Sequence, residues 1–349
     1  MNIGGYELAT EFTTTGGGRC RWAFARRDDD EYFLKCFLSP KQFIPGKSAG
    51  GRATMEARQA ACRTFEDRQS RLLTALDGKT GLGGNLIAPL DFFSFDGCYY
   101  KVTEKIKDHG LKFDQIRHLP EPAQMMLLRS AAGAVRVLHS GGLVHGDIKV
   151  DNIIIRRRDE RTFTASVIDF DDSYFQGEPP TPPEEFTFDP PYAAPEIFRY
   201  IPERNPRTAK SLTTAADVFS LGVVFCEYLT GEKPTPVGSR YLGEALLLGG
   251  SIRLPSAPRA AVAMDVVRSM LALDPRERPA LKSVLDRLTG PRGAPIPPTA
   301  KIEAADKPRL VINMRTAPKP SATAGAGTVA GSATTGSRLR GTLFRKTDP

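Results

Sequence analysis

The chain has 349 residues, 40% hydrophobic and 25% charged, which is enough for two lobes with a sizeable core and ordinary for a globular protein. Its net charge of +8 is unevenly placed: from Gly290 onward there are ten Lys/Arg against three Asp/Glu, so the preceding residues are close to neutral. With the basic excess confined to a tail almost free of aromatics, and no apolar run long enough to span a bilayer, neither nucleic-acid binding nor a membrane association is expected. The five cysteines are widely scattered without a CxxC pair, which argues against a disulfide framework or zinc site. The opening MNIGGYELATEF has neither a basic start nor an apolar core, so the expected location is cytoplasmic.

In chain order, residues 5 to about 106 read as strands. The segments YELATEF, CRWAFARR, EYFLKCF, APLDFFSF and CYYKVTE are rich in β-branched and aromatic residues, with turn residues such as RDDDE and FDGC between them. One helix interrupts them, because Cys62, Phe65, Leu72, Leu73 and Leu76 recur at three- and four-residue intervals. The segment SPKQFIPGKSAGGRATMEA before that helix reads as an insertion. A second lobe spans about 107–289, and from about 120 on helical patterns dominate, as in 122–140 and 214–231. Beyond Gly290, Pro, Ala, Gly, Ser and Thr take over, and SATAGAGTVAGSATTGSR is low-complexity. Such a segment buries too little apolar surface to offset its ordering entropy, so 290–349 is expected to be disordered, with LVINM (310–314) its one apolar patch.

Chemistry concentrates in two stretches. HGDIKVDN (145–152) places Asp147, Lys149 and Asn152 on one short loop. Phosphoryl transfer needs a carboxylate near the attacking hydroxyl, a cation against the transferred group and oxygen ligands for a divalent ion. Downstream, the apolar Val167-Ile168 ends at Asp169-Phe170-Asp171, and a carboxylate at a strand end is a suitable hard-cation ligand.

Here the chain resembles the eukaryotic-type Ser/Thr protein kinases, in their bacterial branch. HGDIKVDN is similar to that family's catalytic loop and DFD stands where the family has its DFG. YAAPE (192–196), DVFSLGVVFCEYLTG (217–231) and LDPRERP (273–279) match later motifs in order. The resemblance implies an α+β fold with a small β-rich N-lobe, a larger helical C-lobe and a disordered tail. It implies ATP with Mg²⁺, or Mn²⁺ in its place, and a protein substrate. Asp147 would be the catalytic base, Lys149 would steady the γ-phosphate, and Asn152 and Asp169 would hold metal. Arg278 would pair with Glu196.

In the N-lobe, Gly16, Gly17 and Gly18 lie where the family covers the phosphates, and Lys35 matches the lysine that holds the α- and β-phosphates. Glu66, or alternatively Glu56, would be its ion-pair partner. Phe33 replaces a small adenine-contacting alanine while Ala23 replaces a valine, so one position grows as its expected neighbour shrinks. Thr103 maps to the gatekeeper, and Glu104, Lys105 and Ile106 to the hinge.

Two departures carry weight. Gly146 replaces an arginine that in the family receives a phosphorylated activation loop, so activity independent of loop phosphorylation is expected. The HGD and DFD spellings also fit aminoglycoside and choline phosphotransferases, although Lys149, YAAPE and DPRERP belong to protein kinases. A catalytically dead scaffold is the third reading, and none of Lys35, Asp147, Asn152 and Asp169 is missing. His145 is expected to pack against Phe170. In the tail, Thr342 follows two arginines, the look of an autophosphorylation site for a phosphothreonine-reading partner; a solvated basic tail is the alternative.

Overall fold

The computed structural model describes residues 1–15, 20–45, 51–78, 85–106, 111–157, 162–180, 186–203, 205–257 and 260–289, together with the backbone of 311–313. The N-lobe is a sheet with one long helix. Its elements are β1 (Asn2–Ile3), β2 (Tyr6–Leu8), β3 (Cys20–Arg27), β4 (Asp30–Phe37), α1 (Arg52–Leu76), β5 (Asp91–Phe95) and β6 (Cys98–Glu104). They pair in the order β1-β2-β3-β4-β6-β5. The β5–β6 hairpin closes on Asp96 and Gly97, both at positive φ (46° and 72°), the two-residue turn whose twist suits a hairpin.

Alternation divides the sheet's side chains between two faces. Ile3, Tyr6, Ala25, Leu34, Tyr100 and Val102 form a core on one side. On the other, Cys20, Phe37, Phe92 and Tyr99 pack against Cys62 and Leu73 of α1. That helix begins at Arg52, so the last part of the expected insertion, 52–57, is helical.

The C-lobe runs α2 (Phe113–Ile116), α3 (Glu121–His139), β7 (Leu143–Val144), β8 (Ile153–Arg157), β9 (Phe163–Val167), β10 (Tyr174–Phe175), α4 (Pro195–Glu203), α5 (Pro206–Ala209) and α6 (Ala215–Thr230). It continues through β11 (Thr235–Val237), α7 (Leu242–Leu247), β12 (Ser251–Arg253), α8 (Ala261–Met270) and α9 (Leu281–Thr289). The fold is the two-lobed arrangement expected. Helix α6 is mostly apolar and enclosed on all sides from Ala216 to Leu229, with Asp217, Ser220 and Glu227 its buried polar residues, as suits a helix at the centre of a lobe. It stops at Gly231, whose left-handed φ of 80° ends the helix.

Two small ladders place the site. β8 pairs with β9 (Ile153 opposite Val167) and β7 with β10 (Val144 opposite Tyr174). Residues 145–152 connect β7 to β8, and 168–173 connect β9 to β10. The two polar stretches therefore emerge side by side from paired strands.

The tail departs from expectation at one point. β13 (Val311–Asn313) adds to the sheet edge, parallel to β5, with Val311 opposite Asp91. An extended segment can satisfy backbone N–H and C=O groups at an open sheet edge without a core of its own, which the composition argument for disorder overlooked. The other residues from 290 onward lie outside the described residues.

Candidate active site

Asp147 is built into its loop by contacts at both ends. Asn152 donates through Nδ2 to the Asp147 carbonyl (2.8 Å) and to its Oδ2 (2.9 Å). The Lys149 ammonium lies 2.7 Å from the same Oδ2 and 3.6 Å from Asp189. Burial by itself would lower the Lys149 pKa, but Asp147 and Asp189 raise it above its ordinary value, so the lysine stays charged. The expected trio of carboxylate, cation and amide meets within hydrogen-bonding distance.

The loop is hung from α6. Asp217, 1% exposed, accepts the backbone N–H groups of His145 (2.7 Å) and Gly146 (3.0 Å), and its Oδ2 lies 2.9 Å from His139 Nε2. His145 links the two polar stretches. Its Nδ1 accepts from the Asp147 N–H (3.2 Å), so its Nε2 donates to the Ile168 carbonyl (2.9 Å). The ring packs against Phe170, centroids 5.2 Å apart, as expected.

Asp169 sits at φ 62°, a left-handed conformation that aspartate tolerates better than most residues. Lys35 Nζ donates to both its oxygens (2.8 and 2.9 Å) and to Asp171 Oδ2 (2.6 Å). Burial alone would raise the Asp169 pKa, but Lys35 and Lys101 hold it below its ordinary value. Asp172 is pushed up to about 6 by burial and by Asp147 and Asp169 nearby; three carboxylates from the two loops thus share one small region. Lys101 lies opposite Lys35 on the adjacent strand and contacts Asp171. Burial, then the Lys35 charge, draws its pKa down to about 7.

Two N-lobe assignments are corrected. Glu66 does not pair with Lys35. It accepts from the Tyr99 hydroxyl (2.6 Å), while Lys35 is occupied by Asp169 and Asp171. The alternative, Glu56, pairs with Arg52 one turn away (2.9 Å). Ala23 does not face the cleft either. It is fully buried and paired with Leu34, whereas Trp22 is the residue opposite Lys35. Trp22 stacks on Phe33 (5.2 Å), and Phe24 meets the same ring edge-on (6.1 Å). The face that bears Lys35 therefore carries three rings, Trp22, Phe24 and Phe33, and the compensation expected between Ala23 and Phe33 does not occur.

Thr103 is paired with Phe33 and shares its face, and Glu104, paired with Tyr32, is exposed. Lys105 donates its N–H to the Glu31 carbonyl (3.1 Å), and Ile106 follows, half-buried. Gly16, Gly17 and Gly18 lie outside the described residues. Arg278 and Glu196 form the expected pair, 2.7 and 2.8 Å through two nitrogens.

Residue reading missed Lys101, Asp171, Arg68 and Trp22. The signal for the first was present, since a lysine interrupts the otherwise apolar Tyr99–Val102 run. For the second it was the aspartate that closes DFD.

Comparison with known proteins agrees with the two-lobed fold. The family model described as "Protein kinase domain" matches residues 83–288. Calcium-dependent protein kinase 19 of Arabidopsis thaliana is 28% identical over 213 residues, 59% of this chain and 35% of that protein. Mouse Serine/threonine-protein kinase 33 is 28% identical over 218 residues, 58% of this chain and 43% of its own length. Calcium-dependent protein kinase 9 of Oryza sativa subsp. japonica is 29% identical over 278 residues, 74% of this chain and 45% of its own. The chain thus spans less than half the length of these relatives. All three are eukaryotic, so the bacterial part of the expectation draws no support from them.

Proposed function

The chain belongs to the protein kinase domain family, and from that premise we propose that it transfers the γ-phosphate of ATP to serine or threonine hydroxyls of a protein. The observation that carries this reading is the Asp147–Asn152–Lys149 cluster. Asp147 lies where it can orient a hydroxyl and accept its proton. Lys149, held charged between Asp147 and Asp189, offsets phosphate charge. Lys35 is the candidate for the α- and β-phosphates. Positioning and charge neutralisation are the means of catalysis.

The residues present fit a divalent cation. Asn152 spends its Nδ2 on Asp147, which turns its amide oxygen outward as an acceptor, and Asp169 is held ionised by its lysines. Among the described residues no group of three or more His, Cys, Asp or Glu side chains could hold a metal. Mg²⁺ or Mn²⁺ would be held by Asn152 and Asp169 together with phosphate oxygens, since such ions are commonly bound by one or two protein oxygens plus substrate phosphates. Bound there, the ion would neutralise phosphate charge.

The small-molecule phosphotransferase and inert-scaffold readings gain nothing from the site: Lys149 is engaged with the base, and Lys35, Asp147, Asn152 and Asp169 are all in place. Free thiols at all five cysteines support a reducing compartment such as the cytoplasm, and among the described residues no helix is long and apolar enough to cross a membrane. For Thr342, outside the described residues, a solvated basic tail is the leading reading, and a phosphosite for a phosphothreonine-reading partner, after Arg338 and Arg340, is its alternative. Incubation with labelled ATP, Mg²⁺, a generic protein acceptor and an aminoglycoside panel tests the main proposal. Label on Ser or Thr of the protein is expected; label only on the aminoglycosides, or none, would refute it.

A further inference from the structure

We propose that Asp171 is the residue that positions Lys35, in the place expected for a glutamate on α1. The inference rests on the kinase reading above and concerns how that site is held together. A lysine ammonium has three donors. Here two go to the oxygens of Asp169 (2.8 and 2.9 Å) and the third to Asp171 Oδ2 (2.6 Å). If Asp169 is a metal ligand, its bonds to Lys35 are exchanged when nucleotide binds, whereas the bond to Asp171 need not be. Asp171 then holds the lysine while its freed donors turn to phosphate.

Three further observations support the assignment. The other oxygen of Asp171 contacts Lys101, which stands directly across the ladder from Lys35 and is itself buried. A buried lysine thus accompanies the partly buried Asp171 carboxylate, so the two opposite charges can be removed together without a net change. Glu66, the candidate for the helix partner, is committed to Tyr99. Helix α1 instead reaches the site through Arg68, whose Nη2 donates to the main-chain carbonyls of Asp171 (2.7 Å) and Ser173 (3.1 Å). The helix grips the backbone of the segment that carries Asp171, and the Asp171 side chain grips the lysine.

The test compares wild type, Glu66→Gln and the double variant Lys101→Met/Asp171→Asn, which removes both charges together and leaves no unpaired ion. Phosphate transfer is measured against ATP and against the protein acceptor, with thermal unfolding and Mg-ATP titration of each form. The double variant should raise KM for ATP on the order of tenfold, the scale of one charge-assisted hydrogen bond, without changing KM for the acceptor. A merely structural role would move both constants or the unfolding temperature alone. Glu66→Gln should keep KM for ATP within about twofold. An equal loss in Glu66→Gln, or an unchanged KM for ATP in a folded double variant, overturns the proposal. Should the double variant not fold, Glu66→Gln alone decides. A wild-type protein that neither binds Mg-ATP nor transfers phosphate sinks the kinase reading and this inference with it, an outcome distinct from an active wild type with an indifferent Asp171.

Discussion

Arg278 grips Glu196 with both terminal nitrogens, at 2.7 and 2.8 Å, where the two side chains are 0% and 4% exposed. The same guanidinium donates to the carbonyls of Ala215, Ala272 and Leu273, tying the start of α4 to α6 and to the loop before α9. Removing one member of such a pair strands a buried charge. Arg278→Ala should cost about 3–5 kcal/mol of stability, measured by denaturant unfolding. Arg278→Lys should recover little, because a lysine cannot reproduce the two-pronged geometry.

Gly146 sits at φ 83°, and a Cβ there would lie 2.6 Å from the Asp172 carbonyl oxygen. Glycine is required by both conformation and space. Gly146→Ala should destabilise by about 1–3 kcal/mol, the range for a non-glycine residue forced into a sparsely populated conformation, and calorimetric melting would register it. Arginine at this position would meet the same obstruction, so the chain cannot simply regain a phosphate receptor here. Phosphatase-treated protein should therefore retain transfer activity; inert protein restored by loop phosphorylation would contradict this.

Asp147→Asn preserves the carbonyl that accepts from Asn152 but removes the proton acceptor. Transfer should fall by ~10²–10⁴-fold, the range for loss of a positioned base. Nucleotide affinity, followed by titration with a fluorescent ATP analogue, should hold within a few fold.

High pH should unfold the protein. Burial, reinforced by Asp91 at Tyr6, by the Glu66 hydrogen bond at Tyr99 and by Glu227 at Tyr192 and Tyr228, raises the folded-state pKa of these phenols well above the usual tyrosine value. Between the unfolded pKa near ~10 and the raised folded values, the native state binds more protons than the unfolded one. The stability these phenols contribute is fully present below pH ~10 and is lost as pH climbs beyond it. Tyrosinate absorbance should accordingly appear together with loss of helical circular dichroism; phenols that ionise while the helices persist would show the burial to be less complete.

Much of this was readable from residues alone, and the failures have physical causes. The strand segments 20–27 and 98–104 and the long helices followed their apolar periods closely, because each presents a regular face to a core. Asp147, Lys149 and Asn152 could be grouped because they share one loop. Partnerships across long separations were another matter. Lys35 lies 134 positions from Asp169 and 136 from Asp171, and nothing local decides between those carboxylates and Glu66. Ala23 failed for a smaller reason: a one-residue shift in strand register exchanges the two faces of a sheet, and Trp22 took the place assigned to its neighbour.

Because the turn bearing Asp147 hangs from Asp217 at the head of the enclosed helix α6, its order is tied to the core of the C-lobe. Local opening of the kind that frays exposed segments should spare it. On heating, inactivation should therefore track global melting and not run ahead of it, and brief excursions below the transition should be fully recoverable.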